Sequence, residues 1–203
     1  MKSSYKIAVF ASGSGSNFQN IVNAVVDGNI HGEVSLLVSN KPNSRVVERA
    51  HQANIDCFVF NPKDYNHRSE YELEIVAELE RRGIDLIVLA GYMLLVTPVL
   101  VERYAGKMIN IHPSLLPSFP GMNAIGQAFN YGVKLTGVTV HFVDGGMDTG
   151  AIIAQEVVEI EAKDNLASLE AKIRNIETTL YPKVVSWFAD GRVALEGRKV
   201  TIK

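Results

Sequence analysis

Cysteine is almost absent from this chain: among 203 residues, Cys57 is the single one. One thiol excludes an intrachain disulfide and a cysteine-rich metal site. Its setting, with Phe58 and Val59 on one side, favours a small buried strand residue. Histidine offers no substitute cluster, and we expect no bound metal. A metal site is disfavoured because four of the histidines are too scattered along the chain to form one: His31, His51, His67 and His141.

Charge of either sign is not in excess, and long apolar runs are missing. Lys and Arg number 20 against 22 Asp and Glu, a formal net charge of -2, whereas nucleic-acid-binding proteins usually show a basic excess. No apolar run approaches the roughly 18 residues of a membrane-spanning helix. The first residues, Met1-Lys2-Ser3-Ser4, do not form a cleavable signal. We therefore expect a cytoplasmic protein with no nucleic-acid and no membrane partner.

The chain does contain an alternation of short apolar runs and longer amphipathic stretches. The runs, rich in Val, Ile and Leu as strands buried on both faces should be, are residues 6–11, 34–39, 57–60, 86–90, 108–111, 135–143 and 151–158. Helices are predicted over residues 17–27, 44–53, 68–82, 99–104, 124–131 and 165–190. In the third helix a polar face is expected to carry Glu72, Glu74, Glu78 and Glu80.

This order predicts an α/β fold with a doubly wound, mostly parallel sheet and a Rossmann-like N-terminal half. Beyond Leu135 two strands follow each other with only the loop 144–150 between them, so an antiparallel strand is expected in the C-terminal half. Pro182 is expected to kink or break the last helix. No repeat or linker interrupts residues 1–203, which predicts one domain.

Asn110 and His112 stand two residues apart at the end of an apolar run, just before a proline-rich loop. In a strand, residues two apart point to the same face, and open α/β sheets keep their active sites at strand ends. An amide beside a titratable imidazole can stabilise an oxyanion. A structural histidine beside a turn-forming asparagine is the alternative reading of the pair.

A glycine-rich loop, residues 12–17 (Ser-Gly-Ser-Gly-Ser-Asn), links the first strand to the first helix. Glycines allow close backbone approach, and free N–H groups at a helix start favour an anion. A Walker loop would need a lysine after its last glycine, and this loop has none. A dinucleotide-binding site would need a small residue at the position of Phe18 and an acidic residue near Ser39, and both are missing. We favour a monophosphate; a tight turn without a ligand is the alternative.

The loop 144–150 (Asp-Gly-Gly-Met-Asp-Thr-Gly) offers two carboxylates. An aspartate near His112 would hold the imidazole ring and raise its pKa. Spacing does not tell whether Asp144 or Asp148 does so, and a solvated turn with acidic residues is the alternative.

Together these segments resemble the glycinamide ribonucleotide formyltransferases, folate-dependent enzymes of purine synthesis. The specific part is residues 110–117 (Asn-Ile-His-Pro-Ser-Leu-Leu-Pro) followed by Asp148, which marks the wider family that uses 10-formyltetrahydrofolate. The resemblance extends over nearly the whole chain and includes residues 12–17, 90–93, 110–117, 136–142, 148–150 and 181–191.

The resemblance implies transfer of the formyl group of 10-formyltetrahydrofolate, a co-substrate, to the amine of glycinamide ribonucleotide, giving formylglycinamide ribonucleotide and tetrahydrofolate. It implies Asn110, His112 and Asp148 as the catalytic residues, without a metal. The transfer passes through a tetrahedral oxyanion that an amide and a protonated imidazole stabilise. The carboxylate then helps to take the proton of the attacking amine, directly or through water.

The resemblance also implies two binding regions, with the nucleotide phosphate in residues 1–100 and the catalytic and folate site mainly in residues 86–150. The implied ribonucleotide ligands are Gly15, Ser16, Asn17, Gly91, Arg174 and Glu177. The implied folate ligands are Arg68, Tyr92, Met93, Leu94, Leu95, Val96, Asn110 and Asp144. Some relatives have glutamine at the position of Arg174 and arginine at that of Leu94, so side-chain roles there differ within the family. Without the resemblance, Arg174 and Glu177 read as a surface pair.

Other functions are compatible with parts of the pattern. Methionyl-tRNA formyltransferases and formyltetrahydrofolate deformylases share the catalytic trio, but normally carry an additional C-terminal or N-terminal domain, so the chain length favours neither. A non-catalytic nucleotide-binding module would bind phosphate without turnover. A nicotinamide oxidoreductase is disfavoured by the incomplete dinucleotide fingerprint. The sequence makes no prediction of oligomeric state.

Overall fold

The computed structural model describes residues 4–203, and a seven-stranded sheet forms its centre. The spatial order is β3-β2-β1-β4-β5-β6-β7. The first five strands are parallel, whereas β6 is antiparallel to β5 and β7 to β6. In chain order the strands are β1 (Tyr5–Phe10), β2 (Gly32–Ser39), β3 (Cys57–Val59), β4 (Leu86–Leu89), β5 (Met108–His112), β6 (Leu135–Phe142) and β7 (Ile152–Glu159).

Helices cover both faces of this sheet, and a separate hairpin follows it. The hairpin consists of β8 (Val193–Glu196) and β9 (Lys199–Ile202). A short 3-10 helix covers Pro62–Asp64. The α-helices are α1 (Ser16–Val26), α2 (Arg45–Gln52), α3 (Arg68–Arg82), α4 (Pro98–Arg103), α5 (Ala124–Tyr131) and α6 (Leu166–Ala189). The predicted α/β fold is thus confirmed, including its antiparallel C-terminal part, with element ends displaced by one or two residues.

The sheet has an apolar layer on each side, which explains why its strands are apolar throughout. In β1, Ile7 and Val9 belong to the layer shared with α1 and α6, whereas Ala8 and Phe10 belong to the layer shared with α3. Alternate side chains of a strand point to opposite faces. A strand buried on both faces therefore has no polar positions to alternate with its apolar ones.

Pro182 does not break the last helix, contrary to that part of the prediction. Helix α6 continues for 24 residues with Pro182 inside it, and its start is closed by a capping box between Asn165 and Ser168. Proline removes one helical hydrogen bond. The neighbouring residues Tyr181 and Val184 are fully buried, so tertiary packing stabilises the helix across this position.

Tyr181 also connects α6 to two strands of the sheet, β4 and β5. Its hydroxyl oxygen lies 2.7 Å from the carbonyl oxygen of Leu89 and 3.3 Å from that of Ile109. Strand order reverses between β1 and β4, with the chain leaving toward β2 on one side and β5 on the other. Such a reversal opens a crevice at the carboxyl ends of the strands.

Glu72 is buried, so its predicted place on the polar face of α3 is wrong. It is 1% exposed. One carboxylate oxygen accepts from the Thr97 backbone N–H at 2.8 Å, and the other accepts from the Thr97 hydroxyl. The carboxylate therefore anchors the end of segment 91–97 to α3. Glu74 and Glu80 remain exposed as predicted.

Replacing Glu72 with alanine is expected to lower the free energy of unfolding by about 2 kcal/mol, because the Thr97 donors lose their acceptor inside the protein. Glu72→Gln retains an acceptor oxygen and should lose roughly half as much. Urea unfolding followed by circular dichroism measures both. Glu74→Ala, at an exposed position of the same helix, is the control, with an expected change within about 0.5 kcal/mol. Equal losses in all three variants would contradict an anchoring role.

Among residues 4–203, no helix has both the length and the apolar character needed to cross a membrane.

Candidate active site

Asn110 and His112 lie near and at the end of β5, with Ile111 between them. Strand alternation directs the two polar side chains to one face, as the two-residue spacing predicts. On the neighbouring strand β6, Asn110 is paired with His141 and His112 with Thr139. The end of β5 thus places an amide and an imidazole side by side, with a second imidazole opposite the amide.

Both ring nitrogens of His112 face oxygen atoms, and the residue is 5% exposed. Nε2 lies 2.9 Å from the carbonyl oxygen of Phe119, and Nδ1 lies 3.4 Å from Oδ2 of Asp148. A carbonyl and a carboxylate can only accept hydrogen bonds. The His112 ring therefore lies between two acceptor oxygens.

Asp148, rather than Asp144, is the carboxylate beside His112. The Gly121 backbone N–H donates to its Oδ2 at 2.8 Å, and His141 Nε2 lies 3.6 Å from its Oδ1. The approach of His141 contributes most to lowering the pKa of Asp148 to about 2, with further lowering by Gly121 N–H and the His112 charge, while burial opposes them. Asp148 is therefore ionised throughout the neutral range.

Asp144 stabilises its own loop. Its Oδ1 accepts from the Gly146 backbone N–H at 3.0 Å and from the Thr149 hydroxyl at 2.6 Å. A short carboxylate at the start of a loop commonly accepts from the backbone two residues on. Geometry thus distinguishes two aspartates that spacing could not.

The lowered pKa of Asp148 predicts an acid-dependent loss of stability. A carboxyl whose folded pKa lies below its unfolded value contributes stability above the unfolded pKa and loses it as the pH falls through the folded pKa. The contribution, on the order of 2 kcal/mol for a shift from 3.8 to about 2, should disappear between about pH 4 and about pH 2.

Urea unfolding of the wild type and Asp148→Asn at a series of pH values measures this contribution directly. The difference between the two proteins should be full near neutral pH and shrink as the pH falls below about 4. A difference that stays constant down to about pH 2 would show that ionisation of Asp148 is not its source.

Sequence reasoning named His141 only among the scattered histidines that argue against a metal site, yet the structure places it beside Asp148. It is 2% exposed, and its Nδ1 lies 2.7 Å from the Phe142 carbonyl oxygen, which leaves Nε2 directed toward Asp148. The available signal was register: had β6 been aligned on β5, His141 would have fallen opposite Asn110. Pairing of distant strands cannot be read from local pattern.

The glycine loop 12–17 leads into α1 and includes the first two residues of that helix. Gly15 has a left-handed backbone with φ of 72°, and a Cβ there would lie 2.5 Å from Cγ2 of Val46, so the position requires glycine. Ser16 and Asn17 begin the helix. Their backbone N–H groups belong to the first turn, which has no helical acceptors. The loop is thus suited to an anion.

Glu177 reaches this loop from α6, whereas Arg174 is directed elsewhere. Asn17 Nδ2 donates to Glu177 Oε2 at 3.2 Å. Burial raises the pKa of Glu177, against the lowering effects of Asn17 and Arg174. Arg174 Nη2 donates to Glu170 at 2.9 Å on the exposed face of α6. The structure therefore brings Asn17 and Glu177 together but leaves Arg174 paired within its own helix.

Segment 91–96 leaves β4 with alternating exposure. Tyr92, Leu94 and Val96 pack against the core shared with α3, and the Tyr92 ring stands edge-on to Phe10 at 5.3 Å. Met93 and Leu95 are 66% and 56% exposed. Five apolar residues thus divide into an inner set that packs the segment against the core and an outer set that is exposed to solvent. Gly91, with φ of 75°, makes the turn from the strand, and Arg68 stands exposed at the start of α3.

No group of three or more His, Cys, Asp or Glu side chains in residues 4–203 is arranged to hold a metal ion. The ring nitrogens of the two imidazoles at Asp148 lie beside protein oxygens.

Comparison with known proteins identifies the family. Residues 5–185 match the formyl transferase family. The phosphoribosylglycinamide formyltransferase of Bacillus subtilis is 49% identical over 180 residues, which cover 89% of this chain and 92% of that protein. The Haemophilus influenzae protein of the same name is 42% identical over 94% of this chain and 90% of that protein. The chain therefore belongs to the formyl transferase family.

A solved structure shows the same fold. Glycinamide ribonucleotide transformylase 1 from Geobacillus kaustophilus superposes with a TM-score of 0.90 at 52% identity, covering 92% of this chain and 99% of that one. The resemblance inferred from residues 110–117 and Asp148 is confirmed by these relatives.

Proposed function

We propose that this protein transfers the formyl group of 10-formyltetrahydrofolate to the amine of glycinamide ribonucleotide, a step of purine biosynthesis. The observation that carries the proposal is the convergence of Asn110, His112 and Asp148 at the end of β5, with His112 Nδ1 at 3.4 Å from the carboxylate. The relatives named above carry the same activity in their names. One domain over residues 1–203 and a cytoplasmic location are part of the proposal.

The chemistry needs a stabilised oxyanion and a route for one proton. The amine nitrogen attacks the formyl carbon, whose oxygen becomes an oxyanion, and the bond to the folate nitrogen then breaks. Asn110 and protonated His112 donate to that oxyanion, and His112 does so by exchanging the Phe119 carbonyl, now 2.9 Å from its Nε2, for the oxyanion. Asp148 keeps the imidazolium in place and helps to move the amine proton toward the leaving nitrogen, directly or through water. No redox change is involved.

The ribonucleotide is proposed to bind with its phosphate at Gly15, Ser16 and Asn17, where free backbone N–H groups gather. Glu177 accepts from the ribose hydroxyls, because its carboxylate already lies at the loop. Gly91 provides backbone close to the glycinamide. Arg174 contacts the ribonucleotide in this proposal only after its side chain leaves Glu170, to which its Nη2 donates at 2.9 Å.

The folate is proposed to lie along segment 91–96. Backbone groups bind the pterin, while the outer side chains Met93 and Leu95 supply apolar contact. Tyr92, Leu94 and Val96 act by packing the segment against the core. Asn110 and the loop around Asp144 border the pterin, and Arg68 is proposed to contact the carboxylate tail.

A spectrophotometric assay with 10-formyltetrahydrofolate, with and without glycinamide ribonucleotide, tests the function. Folate deformylation that requires the ribonucleotide and yields its formylated form is the expected result. Consumption of the folate without the amine would identify a formyltetrahydrofolate deformylase, whose catalytic trio is the same. Binding of the ribonucleotide with no consumption would identify a non-catalytic module. Either of these two results would overturn the proposal.

A further inference from the structure

Ser12 connects the glycine loop to the segment that follows β4. Its backbone N–H donates to the Gly91 carbonyl at 3.1 Å, and its hydroxyl accepts from the Met93 backbone N–H at 2.8 Å. The same hydroxyl donates to Asn40 Oδ1 at 2.6 Å. Ser12 is 1% exposed, so water does not compete readily for these bonds. A single residue thus joins two loops that leave neighbouring strands.

The partner Asn40 orients the Ser12 hydroxyl. A serine hydroxyl has one hydrogen and two acceptor positions. Because the hydrogen is directed to Asn40, an oxygen lone pair is available for the Met93 N–H. Asn40 directly follows β2 and is 9% exposed. Three consecutive strand ends of the sheet, those of β2, β1 and β4, are therefore linked through one hydroxyl group.

The two linked loops are otherwise supported from different sides. The glycine loop rests on α2, where the Val46 backbone N–H donates to Gly13 at 3.1 Å and Arg49 Nε donates to Ser14 at 2.9 Å. The other segment is held by α3, through the contact of Glu72 with Thr97. These two supports belong to opposite layers of the sheet. The bonds of Ser12 directly tie the two ligand-facing stretches together.

We propose that Ser12 is a positioning residue that couples the two substrate sites, so that an anion at residues 15–17 strengthens folate binding at residues 91–96. The proposal rests on the proposed function for the identity of the two ligands. An anion that orders the glycine loop also fixes Ser12, and thereby Gly91 and Met93. The folate then meets a segment that is already ordered and loses less conformational entropy on binding. Linkage requires the reverse effect to be equal.

The test uses inorganic phosphate and tetrahydrofolate, which together lack the formyl group and the amine that would react. Isothermal titration measures the dissociation constant of tetrahydrofolate with and without saturating phosphate. In the wild type, phosphate should tighten tetrahydrofolate binding about fivefold, the lower end of the range for coupled sites. In Ser12→Ala each ligand should still bind, but phosphate should leave the dissociation constant of tetrahydrofolate nearly unchanged, a factor of about one. Ser35→Ala, which removes a surface hydroxyl bonded to Glu33, should keep the fivefold factor.

Hydrogen exchange of the wild type provides a second readout that does not depend on the variant folding. Phosphate should slow exchange of the amides in residues 91–96, although the anion binds at the glycine loop. Independent binding of the two ligands in the wild type, or an unchanged factor in Ser12→Ala, would overturn the coupling while formyl transfer in the assay above stands. A wild type that binds both ligands but transfers no formyl group would overturn the proposed function and leave the coupling itself measurable.

Discussion

Asp148→Asn is expected to lower kcat for formyl transfer by about 10²–10³. In the proposed mechanism Asp148, 3.4 Å from His112, holds the protonated ring and takes part in the proton transfer; an amide has no negative charge for the first role and cannot take a proton for the second. The KM of the ribonucleotide should change little, because the glycine loop lies on other elements. Steady-state kinetics with both substrates, combined with circular dichroism to verify folding, measures the effect.

The matched control for this variant is Asp27→Asn, at an exposed position after α1. It makes the same chemical change away from β5 and should keep full activity. A kcat for Asp148→Asn within about threefold of the wild type would contradict a catalytic role for this carboxylate. Such a result would make His141, whose Nε2 lies 3.6 Å from Asp148 Oδ1, the candidate in its place.

Gly150→Ala is expected to destabilise the protein by about 3 kcal/mol and to remove most of the activity. An added Cβ would overlap the carbonyl oxygen of Phe142 and lie 2.6 Å from its carbonyl carbon. Backbone atoms in a paired strand cannot move aside as the end of a flexible side chain can. Relief requires displacement of the loop that carries Asp148, two residues earlier. Urea unfolding and the formyl-transfer assay measure the two losses.

Gly145→Ala is the control within the same loop, since a Cβ there meets no atom within 4 Å. It should change stability by less than about 0.5 kcal/mol. Equal effects of the two substitutions would indicate that loop flexibility, rather than the contact of Gly150 with β6, is the important property.

Several features of the fold and site follow from local pattern. The alternation of apolar runs and amphipathic stretches predicts the parallel sheet, because a strand buried on both faces must be apolar at every position. The two-residue spacing of Asn110 and His112 predicts that they share a face of β5. The glycine loop also follows, because the left-handed conformation of Gly15 is one that other residues rarely adopt.

The polarity of individual residues predicts their location less well. Glu72 belongs by pattern to the exposed face of α3, yet it is 1% exposed, because Thr97 supplies donors that satisfy its carboxylate. Pro182 predicts a helix end by its chemistry, yet α6 continues because buried neighbours stabilise both sides. In both cases a contact with a residue distant in sequence outweighs the local preference.

The sequence alone is enough for the α/β class, for the strand-end amide and imidazole, and for the glycine loop at the start of α1, because each depends on residues close together along the chain. The tertiary structure was needed to select Asp148 over Asp144, to bring His141 opposite Asn110, and to join two loops through Ser12. These arrangements depend on strand register and on the packing of elements that are far apart in sequence.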